Sequence, residues 1–383
     1  MRLPTSLLCL LLAACAHREA PSVGKIMQFQ TFDFHPRPLG TVTSEAFSGL
    51  SFERLTPEGD FIFWTHTDRG PNAENYPAGD QLHRPFVKPE FQPHLIQFKV
   101  NRKKTHAEYL QVIALTLPDG SPMSGLPNHP ANNQGRGDET PVKTDKGPLP
   151  FDAMGIDPEA LCMSQNHIWM AEEYGPSILK FDRRGKLITR YVPKGHWRAK
   201  LKPPYVKEVL PTELLTRKMN RGFEALACDA DTLYVAIQSP LPGHGTNIHI
   251  TEFDTNKERV RRTFFYPLDS LGSDKIGDMS IRGDELLLIE QNSQTGPDSF
   301  HRVYAIKPKS VGTNGVAVKR LLIDLVKVGY DFADKIEGLA VIDYDYVAVI
   351  NDNDFGLTGR ITDQAQAEVD EKRVSRLAII RSW

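Results

Sequence analysis

The stretch KIEGLAVIDYDYVAVINDNDFG, from Lys335 to Gly356, decides the reading of the fold. Two apolar segments, Leu339–Ile342 and Tyr346–Ile350, flank a short acidic turn, which is the pattern of a β-hairpin. Glu337 precedes the first strand, and the second runs straight into Asn351, Asp352, Asn353 and Asp354. Both open ends of the hairpin therefore carry side chains that offer oxygen ligands.

The same unit recurs along the chain. FSGLSF (Phe47–Phe52) leads to DFIFWTHTDRGPN, and DPEALCM (Asp157–Met163) leads to HIWMAEEYGPSILKFD. NRGFEALACD (Asn220–Asp229) leads to TLYVAIQSPL, and KIGDMSI (Lys275–Ile281) leads to ELLLIEQNS. Superposing Gly49, Ala160, Ala225, Asp278 and Gly338 gives intervals of 111, 65, 53 and 60 residues. Short strands repeating at about 50–60 residues mark the blades of a β-propeller. The first interval is about twice the others, which predicts a degenerate unit near Leu95–Leu117 and a count of six blades, with seven as the alternative. The expected fold is thus all-β, a single propeller over residues 41–383. Two insertions, Leu117–Pro150 and Lys194–Met219, interrupt the rhythm, the second with a short helix predicted at Thr212–Met219. The final RLAIIRSW reads as a strand that closes the ring against the first blade, leaving no open edge.

In a propeller the first strand of each blade lines the central channel. The start of strand one and the end of strand two then share one face. Glu337 falls beside Asn351–Asp354, Glu159 beside Glu172 and Glu173, Glu224 beside Gln238, Asp278 beside Glu290, and Ser48 beside Asp68. Acids at strand ends also cap turns, but their recurrence in five repeats points to a site at one channel mouth. Glu159, Glu173, Glu224 and Glu337 are the expected catalytic carboxylates. Asp68, Asp278, Glu290, Asp352 and Asp354 are the expected metal ligands. Such hard oxygen donors suit Ca²⁺, with Mg²⁺ as the alternative. A cation there polarises a phosphoryl oxygen and activates water for ester hydrolysis. Arg69 and Arg221, next to the acidic positions, are placed to hold a substrate anion or to bridge the neighbouring acids, and Tyr174 joins them as a substrate-binding candidate.

Other chemistries find no support. The 383 residues are 40% hydrophobic and 25% charged, as in a soluble globular protein. A net charge of −2 without a basic block excludes a nucleic-acid partner. No G-x-S-x-G, H-E-x-x-H or G-x-x-x-x-G-K-[ST] motif occurs, and the twelve histidines show no ligand spacing.

At the start of the chain, Arg2, the apolar run Leu7–Leu12 and Leu12-Ala13-Ala14-Cys15 read as an export signal. The Leu-Ala-Ala-Cys sequence resembles a bacterial lipobox. It implies a signal peptide over 1–14, lipidation of Cys15, a tether over 15–40, and a cell-envelope protein anchored to the outer membrane facing the periplasm. Cys162 and Cys228 remain in the folded part, with buried free thiols as the expected state and a disulfide as the alternative.

Taken in order, DRGPN (Asp68–Asn72), EEYGPSILKFD (Glu172–Asp182), NRGFEALA (Asn220–Ala227), KIGDM (Lys275–Met279) and KIEGLA with NDNDFG resemble the bacterial family called esterase-like activity of phytase. The resemblance covers about residues 42–381. Ala160 and Ala225 depart from the glycine common in its EGL motif, and Glu172 from a position often held by Asp. It implies an exported propeller with phosphoester or ester hydrolysis on a small-molecule substrate. The alternative is a non-catalytic lipoprotein that binds a ligand or protein partner at its channel face, or a calcium-stabilised scaffold without turnover.

Overall fold

The computed structural model describes residues 29–34, 38–39, 42–43, 46–129, 138–164, 166–197, 202–269 and 272–381. The signal segment and Cys15 lie outside the described residues. Strands dominate, and the helical turns are short, among them Thr212–Thr216, where the longer helix was expected.

Five sheets carry the core. Sheet I is built from Phe47–Leu55, Phe61–Thr67, His94–Val100 and Ala107–Ala114. Sheet II adds Pro158–Ser164, His167–Glu172, Ser177–Asp182, Leu187–Pro193 and Val206–Leu210. Sheet III contains Phe223–Asp229, Thr232–Ile237, Asn247–Asp254 and Arg259–Pro267. Sheet IV contains Lys275–Arg282, Glu285–Gln291, His301–Ile306 and Lys319–Asp324. Sheet V pairs Ile336–Val341, Tyr346–Asn351, Arg376–Arg381 and Phe29–Asp33.

Each sheet begins with a hairpin of the predicted kind. Its second strand is covered on both faces, so it needs consecutive apolar residues rather than alternation. Phe61–Thr67 and Tyr346–Asn351 are accordingly buried at every position. The acidic turn between the strands of sheet V earns its acids: Asp343 Oδ1 accepts the amides of Asp345 and Tyr346 at 2.8 and 2.9 Å.

The apolar cores lie between neighbouring sheets. Trp64 and Leu95 of sheet I pack with Leu161 and Ile168 of sheet II. Trp169 continues to Val235 of sheet III and Leu288 of sheet IV. Leu287 and Ile289 meet Leu339 and Val347 of sheet V, and Ala348 and Ile350 meet Phe61 and Phe63 of sheet I. The contacts therefore return to their start, and the first strands adjoin one another in the same cyclic order. Each fully buried large apolar side chain contributes about 1.5–3 kcal/mol, so these cores fix where the polar strand ends stand.

Three expectations are corrected. Five large sheets form among the described residues, not six. The stretch Leu95–Leu117 supplies the third and fourth strands of sheet I, and the doubled interval comes from connecting segments, including the small sheet of Tyr76–Ala78, Gln81–Phe86 and Thr140–Lys143. Arg376–Arg381 is indeed a strand, but it pairs with Tyr346–Asn351 and Phe29–Asp33 rather than with sheet I. Phe29–Asp33 is consequently part of sheet V, so the tether expected over 15–40 cannot extend through it.

Candidate functional site

Glu159, Glu224 and Glu337 occupy the same structural position. Pro158 pairs with Glu172 and Ala160 with Ala171, which leaves Glu159 as the extra residue of a β-bulge. The registers around Glu224 and Glu337 repeat this. A bulge re-aims the side chain it carries, here towards the shared strand ends. Ser48 takes the position in sheet I and donates to Glu337 Oε2 at 3.0 Å. Gly277 takes it in sheet IV.

The second strands contribute the residue that follows the partner of the bulge-preceding position, Glu173, Gln238, Gln291 and Asp352. In sheet I, where the bulge falls after Ser48, Asp68 follows Thr67, the partner of Phe47. Glu290 is one residue short of this phase, and because strand side chains alternate, a one-residue offset sends it to the other face. It is fully buried there, takes the Lys319 ammonium at 2.6 Å and accepts from Ser273 Oγ at 2.6 Å. Glu172 shares that phase and forms a buried pair with Arg190 at 2.7 Å. The metal role expected for Glu290 is therefore corrected to an internal ion pair.

Two groups of acids converge. Glu159, Glu173 and Glu224 each offer a carboxylate oxygen, all within 4.8 Å of one another, and so do Asp68, Asp157 and Glu159. Opposite ligands of one Ca²⁺ stand about 5 Å apart, twice the ~2.4 Å bond. Of these acids only Asp68 is partly exposed. Among the described residues neither carboxylate oxygen of Glu224 has a partner at hydrogen-bond geometry, although the Gln238 side chain lies near it, and the same holds for Glu173 Oε1 and Asp157 Oδ1. Buried carboxylates without donors are costly unless paired or bound to a metal, so the donor set fits a hard divalent cation.

The electrostatics say the same. Burial first, then Glu224, Asp157 and Glu173, push the Glu159 carboxyl well above the usual carboxylate range. Burial and Glu337 do the same to Glu224, and burial to Asp157 in spite of Arg69. Burial also raises Glu173, although Arg221, Arg69 and Arg217 oppose it.

The remaining candidates divide. Asp352 is raised by burial and by Asp354; its oxygens accept from the Asp354 amide at 2.8 Å and face the Lys335 ammonium at 3.4 Å. Asp354 pairs with Lys335 at 2.5 Å and Arg373 at 2.6 Å, which overcome its burial and hold it at about 2. Its carboxylate is already neutralised by protein cations, which corrects the expected ligand role. Asp278 is corrected too. It occupies the small-residue position of Gly49, Ala160, Ala225 and Gly338, and its carboxylate accepts the Leu339 amide at 2.8 Å with the amides of Met279, Leu50 and Leu226 beside it. It ties first strands together instead of facing a ligand.

Arg69 is consumed within the acid cluster, where one Nη reaches Asp157 and Asn220, both at 2.8 Å. Tyr174 is fully buried and donates to the Gly125 carbonyl at 2.7 Å, so its hydroxyl faces protein and not a substrate. Arg221 is different. It is half-buried, donates to the Asn220 carbonyl at 2.6 Å, and has no carboxylate at salt-bridge distance among the described residues. With Arg84, Lys218 and Ser239 it borders a cavity of about 460 Å³ next to the cluster.

Sequence reasoning missed Asp157, although it stands in the DPEALCM motif two residues before Glu159. It also missed Lys275 and Lys335, whose ammonium groups act on Glu337; the shared KI in KIGDM and KIEGLA was the available signal. The two insertions meet above the cluster: Arg217 of the second grips Asp138 of the first at 2.8 and 2.9 Å. Burial lifts Asp138 to about 7 against that arginine. Cys162 and Cys228 form a disulfide between the first strands of sheets II and III, with Cα atoms 6.1 Å apart, in place of the expected free thiols.

The molecule is thus an all-β protein with buried acids gathered where its repeated hairpins open. The chain belongs to the phytase-like family, esterase-like activity of phytase, which matches residues 43–355. It is also similar to an uncharacterized secreted protein of Arthroderma benhamiae, 28% identical over 221 residues, or 48% of this chain and 41% of that one. The chain therefore spans about two fifths of the length of this relative. Among solved structures, the catalytic domain of the Coprinopsis cinerea GH62 α-L-arabinofuranosidase aligns over 93% of this chain and 97% of its own at 9% identity, with a TM-score of 0.42. The PQQ-bound aldose sugar dehydrogenase of Streptomyces coelicolor aligns over 94% and 100% at 9% identity, with a TM-score of 0.33. Neither likeness is close enough to carry chemistry across.

Proposed function

We propose that the five sheets are blades of one propeller and that the chain is an exported, divalent-cation-dependent phosphoester or ester hydrolase. The observation that carries this reading is the convergence of Glu159, Glu173 and Glu224, of which Glu224 and Glu173 carry buried carboxylate oxygens without a hydrogen-bond partner among the described residues. Those acids, with Asp68 and Asp157, hold the cation. A bound Ca²⁺ supplies charge stabilisation for the attacked ester and lowers the pKa of water. Arg221 orients the anionic group of the substrate from the adjoining cavity. Glu337, raised by burial although Lys335 and Lys275 oppose it, holds a proton next to the cluster and delivers it to the leaving oxygen as general acid. Lys218 adds a second cation to the border of that cavity, where Arg84 is paired with Glu139 at 2.5 Å and Asp274 is also part of the lining.

Export is supported by the signal-like start, by the secreted relative and by the Cys162–Cys228 disulfide, which persists in oxidising compartments. No helix among the described residues is long and apolar enough to cross a membrane, and Cys15 is the proposed lipid anchor in the outer membrane. Cys15→Ala then releases the protein from the membrane fraction.

The test is hydrolysis of aryl phosphates and aryl carboxylic esters by the purified protein, with Ca²⁺, with Mg²⁺ and with chelator. Turnover that disappears in chelator and in Glu224→Gln supports the reading. Turnover indifferent to both, or none with any cation across the panel, overturns it in favour of a binding protein.

A further inference from the structure

The two groups of acids are not alternatives for one ion. Resting on the cation-centre reading above, we propose that the cluster holds two divalent cations that share Glu159. One position lies among Glu159, Glu173 and Glu224, and the other among Asp68, Asp157 and Glu159. Glu159 is the only residue common to both sets, and a carboxylate has two oxygens with which to bridge two ions.

Each position has its own unsatisfied donors. The inner one has both oxygens of Glu224 and Oε1 of Glu173, on side chains 1% and 2% exposed. The outer one has Oδ1 of Asp157, also 1% exposed. Charge agrees with the count. Five carboxylates meet one cation at contact distance among the described residues, Arg69 on Asp157 at 2.8 Å. Four negative charges remain, the charge of two divalent ions. A single ion in the outer position leaves Glu224 buried with no cation at contact distance among the described residues, which is the costly arrangement. A single inner ion leaves Asp157 to Arg69 at 2.8 Å and Asp68 partly exposed, with Asp157 Oδ1 still unsatisfied.

The positions also differ in access. Asp68 is partly exposed, whereas all three inner ligands are buried. The outer ion is therefore the more accessible of the two.

The experiment is equilibrium dialysis with ⁴⁵Ca²⁺ on full-length protein purified in detergent and stripped with chelator, which reads bound ions without any substrate. Wild type is expected to bind two equivalents. Asp68→Asn and Glu173→Gln are each expected to bind one, because each touches a single set, and Glu159→Gln is expected to lose both high-affinity ions. The Arg69 amide donates to Asp68 Oδ1, and Asp68→Asn keeps an oxygen for it, so the variant tests the outer position without endangering the fold; a melting temperature in chelator close to that of wild type checks this. One equivalent in wild type, unchanged in Asp68→Asn, overturns the shared-ligand proposal while leaving a one-ion centre in place. No bound Ca²⁺ in wild type overturns the cation centre itself.

Discussion

Glu159 and Glu224, bulge residues at the same phase of adjacent sheets, bring carboxylate oxygens to within 4.8 Å of each other. Buried like charges at that separation repel: after burial, Glu224 is the largest influence raising Glu159, while burial, Glu337 and Glu173 raise Glu224. Everything predicted about the cluster follows from that repulsion and from what relieves it.

Cation binding should release protons. The carboxyls of Glu159, Glu224 and Asp157 are held above their usual range by burial and by neighbouring carboxylates, so a cation must displace protons to use them. Ca²⁺ affinity should rise with pH, by about tenfold per unit while one proton is displaced. Calorimetry in buffers of different ionisation enthalpy measures the release directly. An affinity flat from pH 5 to 8 contradicts it.

Stability without cations should fall as pH rises. A carboxyl raised on folding binds more protons in the native state than in the unfolded chain, so its contribution is present below the unfolded value of about 4 and is lost as pH climbs through the folded value. Asp138, lifted to about 7, places part of that loss between about pH 4 and 7. Melting temperatures in chelator should decline over this window. Saturating Ca²⁺ should flatten the part of the decline that comes from the cluster acids, because the bound ion keeps them ionised, and leave the part that comes from Asp138.

Much of this was legible in the sequence. The hairpin unit repeats with its polar ends in phase, so Glu159, Glu173, Glu224 and Asp68 can be gathered from the sequence alone. What failed was register at single-residue precision. Sheet IV replaces the bulge glutamate by Gly277 and moves its acid to Asp278, and nothing in KIGDMSI announces that shift. Pairing Asp278 with Glu290 then placed both wrongly, since one residue changes the face of a strand. The doubled first interval was read as a missing unit, where five large sheets form among the described residues: a long interval can hold insertions as readily as a further sheet. The disulfide needed the distance between neighbouring first strands, which spacing along the chain does not contain.

Gly222 should prove irreplaceable. A Cβ there would stand 1.9 Å from the Glu173 carbonyl oxygen, a backbone atom that cannot move without taking its side chain along. Gly222→Ala should cost about 1–3 kcal/mol of stability through overpacking. It should also weaken Ca²⁺ binding by about tenfold or more, because ligands must be held to within about 0.5 Å. Chemical denaturation and calorimetry measure the two effects. Unchanged Ca²⁺ affinity would separate Glu173 from the centre.

The Cys162–Cys228 bridge closes a sequence separation of 66 residues between two first strands. Loop-closure entropy for that length is worth about 4 kcal/mol at most. Reduction, or the Cys162→Ser and Cys228→Ser double variant, should lower the melting temperature by several degrees. Thiol titration of native, unreduced protein should find neither cysteine free.

The most direct measurement is long-wavelength anomalous diffraction from crystals grown with CaCl₂. Peaks among Glu159, Glu173 and Glu224, and among Asp68, Asp157 and Glu159, with no peak at Glu290, are the predicted result. Calcium bound only elsewhere, or a cluster in which lysine and arginine side chains have moved in to satisfy every one of these carboxylates, would contradict the account.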